Sequence, residues 1–131
     1  MKKVILVLPV VLLAACTDKN EYRQAVLEQM KEEKDIKDYK IDPERMADCV
    51  VDTSSTKMPG IIPLDPQRIQ AYRNYAKMLQ LTKTEDPKKT LDQLREDFGS
   101  PKGLAEAHAN YAESVVGCVE GLVGSTEPGE K

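Results

Sequence analysis

The sequence predicts an all-α fold: a small irregular four-helix bundle preceded by an amino-terminal helical arm. Three observations carry this. Strand signals are nearly absent, with no run of alternating β-branched residues and no Asn-Gly or Asp-Gly hairpin turn. A capping residue stands directly before proline at four places, Asp42-Pro43, Asp65-Pro66, Asp86-Pro87 and Ser100-Pro101. Each pair reads as N-cap then N1, because the cap oxygen accepts an orphan N–H and proline has no N–H to lose there. Finally, apolar residues recur at helical spacing between these starts.

In chain order, the first helix is expected over about 18–35. Its apolar positions are sparse (Tyr22, Val26, Leu27, Met30) and it ends in the charge-dense Lys31–Asp38 segment. So polar a helix reads as a stalk or a loosely docked arm, and residues 18–35 would rise about 27 Å at 1.5 Å per residue. The second helix, about 43–55, starts with a hydrophobic staple of Ile41 and Met46 around the Asp42 cap and places Met46, Cys49 and Val50 on one face. Glu44, Asp48 and Asp52 line another side at i, i+4 and i+8. A calcium loop needs a turn-rich backbone, so this row reads as a solvated face.

Residues 57–64, Lys-Met-Pro-Gly-Ile-Ile-Pro-Leu, form the one apolar loop. Such a loop either folds down to cap the core or serves as a recognition lip, with Met58, Pro59, Ile61 and Ile62 as its contact residues. The third helix, about 66–83, has a second staple of Leu64 and Ile69 and a stripe of Ile69, Tyr72, Ala76 and Leu79 widened by Tyr75 and Met78. The fourth, about 87–98, carries Leu91, Leu94 and Phe98 and ends at Gly99.

The last helix, about 101–123, has three stripes. Leu104, His108, Tyr111, Val115, Cys118 and Leu122 form the first, and Ala105, Ala109, Ala112, Val116, Val119 and Val123 another. A third is nearly all small: Gly103, Ala107, Asn110, Ser114, Gly117, Gly121 and Gly124. Glycines cost a helix up to about 1 kcal/mol each, so their clustering suggests that close packing offsets the penalty. The bland expectation is packing against the second or third helix; the alternative is a partner groove that includes Gly117 and Gly121. His108, the only histidine, is expected as a core residue hydrogen-bonded to a carbonyl or hydroxyl. Nothing near it in sequence supplies the nucleophile or carboxylate that a general base needs. The polar tail 125–131 is expected to be disordered.

The amino terminus adds an address. Lys2-Lys3 precede an apolar run from Val4 to Leu13, followed by Ala14-Ala15-Cys16. This is the layout of a secretory signal, and its apolar run is too short to span a bilayer. Leu13-Ala14-Ala15-Cys16 resembles the lipobox of bacterial lipoprotein precursors. The resemblance implies that the Cys16 thiol receives a diacylglycerol, that residues 1–15 are removed and that the new amino terminus is acylated, giving a firm two- or three-chain anchor such as palmitate-type chains provide. In that family an aspartate directly after the cysteine retains the protein in the inner membrane. Thr17 stands there instead, with Asp18 one place later, which implies lipid anchorage on the periplasmic face of the outer membrane.

With Cys16 spent on lipid, Cys49 and Cys118 remain. An exported chain with an even remainder most simply pairs them. The alternatives are a metal site or a reactive thiol; one histidine and no short cysteine spacing weigh against the first. The expected organisation is thus a signal peptide (1–15), a lipidated tether and polar helical arm (16–41), a bundle domain with one disulfide (42–124) and a tail (125–131).

Removing the signal takes away two lysines and no acid, so the mature chain has 17 basic against 22 acidic residues and a net charge of −5. That argues against nucleic acid as partner and against an electrostatic membrane contact. There is no tryptophan and one phenylalanine, so no sugar or base-stacking platform is evident. No phosphate loop, zinc-ligand spacing or Gly-x-Ser-x-Gly turn is found.

Neither a metal nor any cofactor beyond the lipid on Cys16 is expected, and the role read from the sequence is non-enzymatic: a membrane-anchored module that binds a protein partner. A passive structural or envelope-stress lipoprotein and a small hydrolase are the competing classes. In size, lipidation and helix content the outline is similar to the pilotins that escort secretin subunits to the outer membrane, and no pilotin binding residue carries over to this sequence.

Overall fold

The computed structural model describes the backbone of residues 10–126 and the side chains of residues 17–124. Lys2-Lys3 and the start of the apolar run, the Cys16 side chain and the tail from residue 127 lie outside what is described. Among the described residues there are six α-helices and no strand: α1 (Val10–Glu32), α2 (Lys34–Asp38), α3 (Pro43–Ser55), α4 (Pro66–Leu79), α5 (Pro87–Asp97) and α6 (Pro101–Thr126). A 3-10 turn, Leu81–Lys83, follows α4 and completes the stretch that the sequence reads as one helix to residue 83. The α6 backbone stays helical through Ser125 and Thr126, the first two residues of the expected tail.

The four cap–proline pairs act as their chemistry dictates. The Asp42 carboxylate accepts from the Glu44 N–H at 3.1 Å. Asp65 accepts from Gln67 at 2.9 Å, Asp86 from Lys89 at 3.1 Å, and the Ser100 hydroxyl from Gly103 at 2.9 Å. Each cap satisfies an orphan donor of the first turn, worth about 1 kcal/mol relative to alanine.

Ion pairs and hydrogen bonds fix how the helices run. Asp18 pairs with Arg73 and Glu28 with Lys83, so α1 and α4 are parallel. Lys19 pairs with Asp52, and Arg23 with Asp48 and Glu44, so α1 and α3 are antiparallel. The Cys49–Cys118 disulfide, the Asn110–Ser54 hydrogen bond and the Lys57–Glu113 pair make α3 and α6 antiparallel. The principal packed pairs are α1 with α4 and α3, and α3 with α6; α5 bridges α4 and α6.

The expected polar arm is thereby corrected. Tyr22, Val26 and Met30 of α1 are fully buried, and Ala25 and Leu27 nearly so. They join Met46, Ala47, Val50 and Val51 of α3 and Ala71, Tyr72, Tyr75 and Ala76 of α4 in one core. A narrow stripe suffices because α1 is covered by a helix on either side. Four of the charges that make it read as polar, Asp18, Lys19, Arg23 and Glu28, are in cross-helix pairs flanking that stripe. Glu44, Asp48 and Asp52 are exposed, the solvated row expected, and from it two acids meet Arg23 and the third meets Lys19. The folded body begins at Asp18, which is buried and held by the Arg73 guanidinium at 2.7 and 3.3 Å, rather than at residue 42.

The disulfide forms as expected, with S–S 2.05 Å and Cα–Cα 5.9 Å, and clips α3 to α6. The face of α6 that turns inward lies between two of the stripes. Ala107, Asn110 and Ser114 of the small stripe and Cys118 of the bulky one are buried, Leu104, Tyr111, Val115 and Leu122 are half-buried against the core, and Gly117, Gly121 and Gly124 are exposed. Small side chains let the α6 backbone approach α3 closely, which rotates the bulky stripe sideways. His108 moves with that rotation and is exposed, not the core residue its stripe suggested.

Among the described residues no helix is long and apolar enough to cross a membrane, and no group of three or more His, Cys, Asp or Glu is placed to hold a metal ion.

Candidate functional site

A polar ladder crosses the core beneath an open groove in the surface. The Tyr22 and Ser54 hydroxyls share a hydrogen bond at 2.8 Å, and those of Ser55 and Tyr72 one at 3.2 Å. The Asn110 Nδ2 donates to the Ser54 carbonyl at 3.0 Å and to the Tyr75 hydroxyl at 2.9 Å. Tyr22, Tyr72 and Tyr75 cluster with ring centroids 6.0 and 5.6 Å apart from Tyr22, and Phe98 sits edge-on to Tyr75 at 5.6 Å. Burial raises the Tyr22 and Tyr75 phenols above their usual range, opposed by the hydrogen bonds from Ser54 and Asn110. Tyr111 is pushed up to about 12, first by burial and then by the nearby Glu33 carboxylate.

Above Tyr75 lies a groove of about 710 Å³ between the amino-terminal halves of α4 and α6, closed at one end by Asp97 and Phe98 at the end of α5 and walled by Lys57 and Pro59. The volume is within the usual range of ligand sites, roughly 300–1,000 Å³. Its apolar surface comes from Pro59, Pro66, Ala71, Tyr75, Phe98 and Ala107. Four carboxamides border it, Gln67, Gln70, Asn74 and Asn110. Gln70 donates to Asn74 at 2.8 Å and Asn74 to the Asp97 carbonyl at 3.3 Å, which fixes both side chains.

Asn110 is the exception among the groove amides. Its orientation is set, because the Ser54 carbonyl can only accept and must face the nitrogen. The Oδ1 is therefore left buried with no hydrogen-bond partner, a situation costing on the order of 1–3 kcal/mol. The rim charges are neutralised locally, Lys57 by Glu113 at 2.9 Å, Asp97 by Lys77 at 3.0 Å and Glu106 by Lys102 at 3.7 Å. The groove thus offers apolar contact and amide hydrogen bonds without a field that selects for charge. Such a surface suits a segment of polypeptide, whose backbone pairs with carboxamides and whose side chain can rest on Tyr75 and Phe98.

Of the residues singled out in the sequence, Pro59 lines this groove. Met58 does not present itself: at 5 % exposure it caps the core. Ile61 and Ile62 are the reverse, 93 % and 57 % exposed, with Leu64 at 49 %. The loop therefore splits between the two expected roles, one residue down and three out. Gly117 and Gly121 are exposed, and a Cβ at either would meet no atom within 4 Å, so no packing within the chain offsets their helix cost. Of the α6 glycines only Gly103 is forced by contact, since a Cβ there would collide with the Phe98 carbonyl. Neither His108 nor Tyr111 lines the groove.

Sequence reasoning missed Gln67, Gln70 and Asn74, and placed Asn110 only as a member of the small stripe of the last helix. Their common signal, a carboxamide on the flank of an apolar helical stripe, is present in the sequence but does not distinguish a groove wall from an ordinary surface. Compared with protein-family models, characterised proteins and solved structures, the chain matches none.

Proposed function

We propose that the chain is the precursor of a lipoprotein anchored through Cys16 on the periplasmic face of the outer membrane. It acts without catalysing a reaction, by holding a segment of a partner protein in the groove between α4 and α6. The observation that carries the binding role is the groove itself: an open, apolar, charge-neutral surface bordered by oriented carboxamides. The anchor rests on Leu13-Ala14-Ala15-Cys16 and the apolar run before it.

A photoreactive benzoylphenylalanine at Gln70, which is exposed and lines the groove, tests the binding role in living cells. A discrete crosslinked adduct is expected from Gln70 and not from the same group at Tyr39, at the opposite end of the bundle. Equal labelling from both positions, or none, would sink the groove as a binding site. Incorporation of labelled palmitate into the wild-type protein, abolished by Cys16→Ser, tests the anchor separately.

A further inference from the structure

We propose that the Ile61-Ile62-Pro63-Leu64 loop is a second membrane contact, entering the interfacial layer of the bilayer beside the acyl chains on Cys16. This rests on the lipid-anchor reading and extends it to a part of the fold that the anchor motif does not touch.

Position is the first argument. Because α1 runs parallel to α4 and antiparallel to α3, its amino-terminal end lies at the carboxyl end of α3 and the amino end of α4. Those are the two ends that the 56–65 loop joins. Asp18 is level with Arg73, so residue 16 is level with about residue 71, and the loop begins about 9 Å further along the axis at 1.5 Å per residue. No spacer intervenes. Asp18 is already buried and ion-paired, and two residues reach at most about 7 Å even when fully extended. An acylated Cys16 therefore holds this end of the bundle against the headgroups.

Chemistry is the second. Ile61 is 93 % exposed and is the most exposed large apolar side chain among the described residues; Ile62 and Leu64 stand beside it. A loop can enter a low-dielectric layer only if its backbone polar groups have partners or are few. Here the Arg68 guanidinium donates to the carbonyls of Met58, Pro59 and Gly60 at 3.3, 2.9 and 2.6 Å. Ile61 N–H donates to the Asp65 carboxylate at 3.3 Å, and Asp65 N–H to the Ile62 carbonyl at 3.0 Å. Pro59 and Pro63 have no N–H to satisfy. Gly60, at φ +90°, makes the turn that brings its carbonyl to Arg68. The aliphatic tips are thus displayed by a braced loop. The flanking charges Lys19 and Lys57 are paired with Asp52 and Glu113, and the two charges that brace the loop, Arg68 and Asp65, are of opposite sign and both lie beside Gly60, so the contact has no net charge and is indifferent to lipid charge.

The chain contains no tryptophan, so Ile61→Trp supplies a sole reporter, with Ile62→Trp as a second and Tyr39→Trp as the control at the far end. The full-length lipidated proteins are reconstituted in phosphatidylcholine vesicles with brominated acyl chains, with and without anionic lipid, after mass spectrometry of Cys16. The expected result is a blue shift and loss of emission by bromine quenching at positions 61 and 62, none at 39, and no dependence on anionic lipid. A diacylated protein in which the reporters at positions 61 and 62 both stay unshifted and unquenched overturns the proposal while leaving the anchor intact, and leaves the loop to a protein partner. A Cys16 without lipid overturns the anchor reading and this proposal with it.

Discussion

Met30→Ala asks whether α1 belongs to the core. Met30 is fully buried on α1, in the stretch that its sequence marks as a polar arm. Truncating a buried methionine typically costs about 2–5 kcal/mol through lost transfer energy and the cavity left behind. On a solvated arm the same change would be neutral or slightly favourable, because alanine is the better helix former. A domain of this size has an unfolding entropy of about 0.23 kcal/mol/K, from about 2.1 cal/mol/K per residue, so a loss of about 3 kcal/mol lowers Tm by about 13 °C. Thermal melts followed by circular dichroism at 222 nm, with urea titrations to check that the m-value is unchanged, read the effect. Gln24→Ala, on the exposed side of the same helix, is the control and should leave Tm within about 2 °C, since surface substitutions stay near ±0.5 kcal/mol. A Met30→Ala melt as close to wild type as the control would refute the placement of α1 in the core.

Three further outcomes follow from the packing. Reducing the Cys49–Cys118 bridge, which spans a sequence separation of 69, should cost roughly 4 kcal/mol in the chain-entropy model; melts with and without reductant that coincide would contradict it. Gly117→Ala and Gly121→Ala should each raise stability by up to about 1 kcal/mol in chemical denaturation, having open space for the new methyl, whereas Gly103→Ala should lower it by pushing on the Phe98 carbonyl; the opposite ordering would show that the α6 contacts are misassigned. From neutral pH upward, stability should be flat to the ordinary tyrosine pKa of about 10 and fall as pH rises from there toward about 12, where folded Tyr111 ionises. The sign follows from linkage: the unfolded chain gives up these phenolic protons first, so alkali favours unfolding. Absorbance at 295 nm should then show buried tyrosines ionising only as the protein unfolds, and a single midpoint near 10 for all five tyrosines would count against it.

Local chemistry determined the helices and tertiary structure determined what they face. Asp42-Pro43, Asp65-Pro66, Asp86-Pro87 and Ser100-Pro101 could be read directly because a cap and a proline act within one turn and need no distant partner. The Cys49–Cys118 pair was legible because few pairings remained once Cys16 was assigned to lipid. The role of α1 was not legible, since Asp18, Lys19, Arg23 and Glu28 look like solvent-facing charge until the partners on α3 and α4 are in place. Nor was the rotation of α6: periodicity marks faces, but how far the helix turns between its bulky and small stripes depends on how closely α3 can approach. The groove exists only through that choice. Ala107 and Asn110 turn inward and the α6 backbone settles on α3, which leaves the space beside α4 above Tyr75 unfilled.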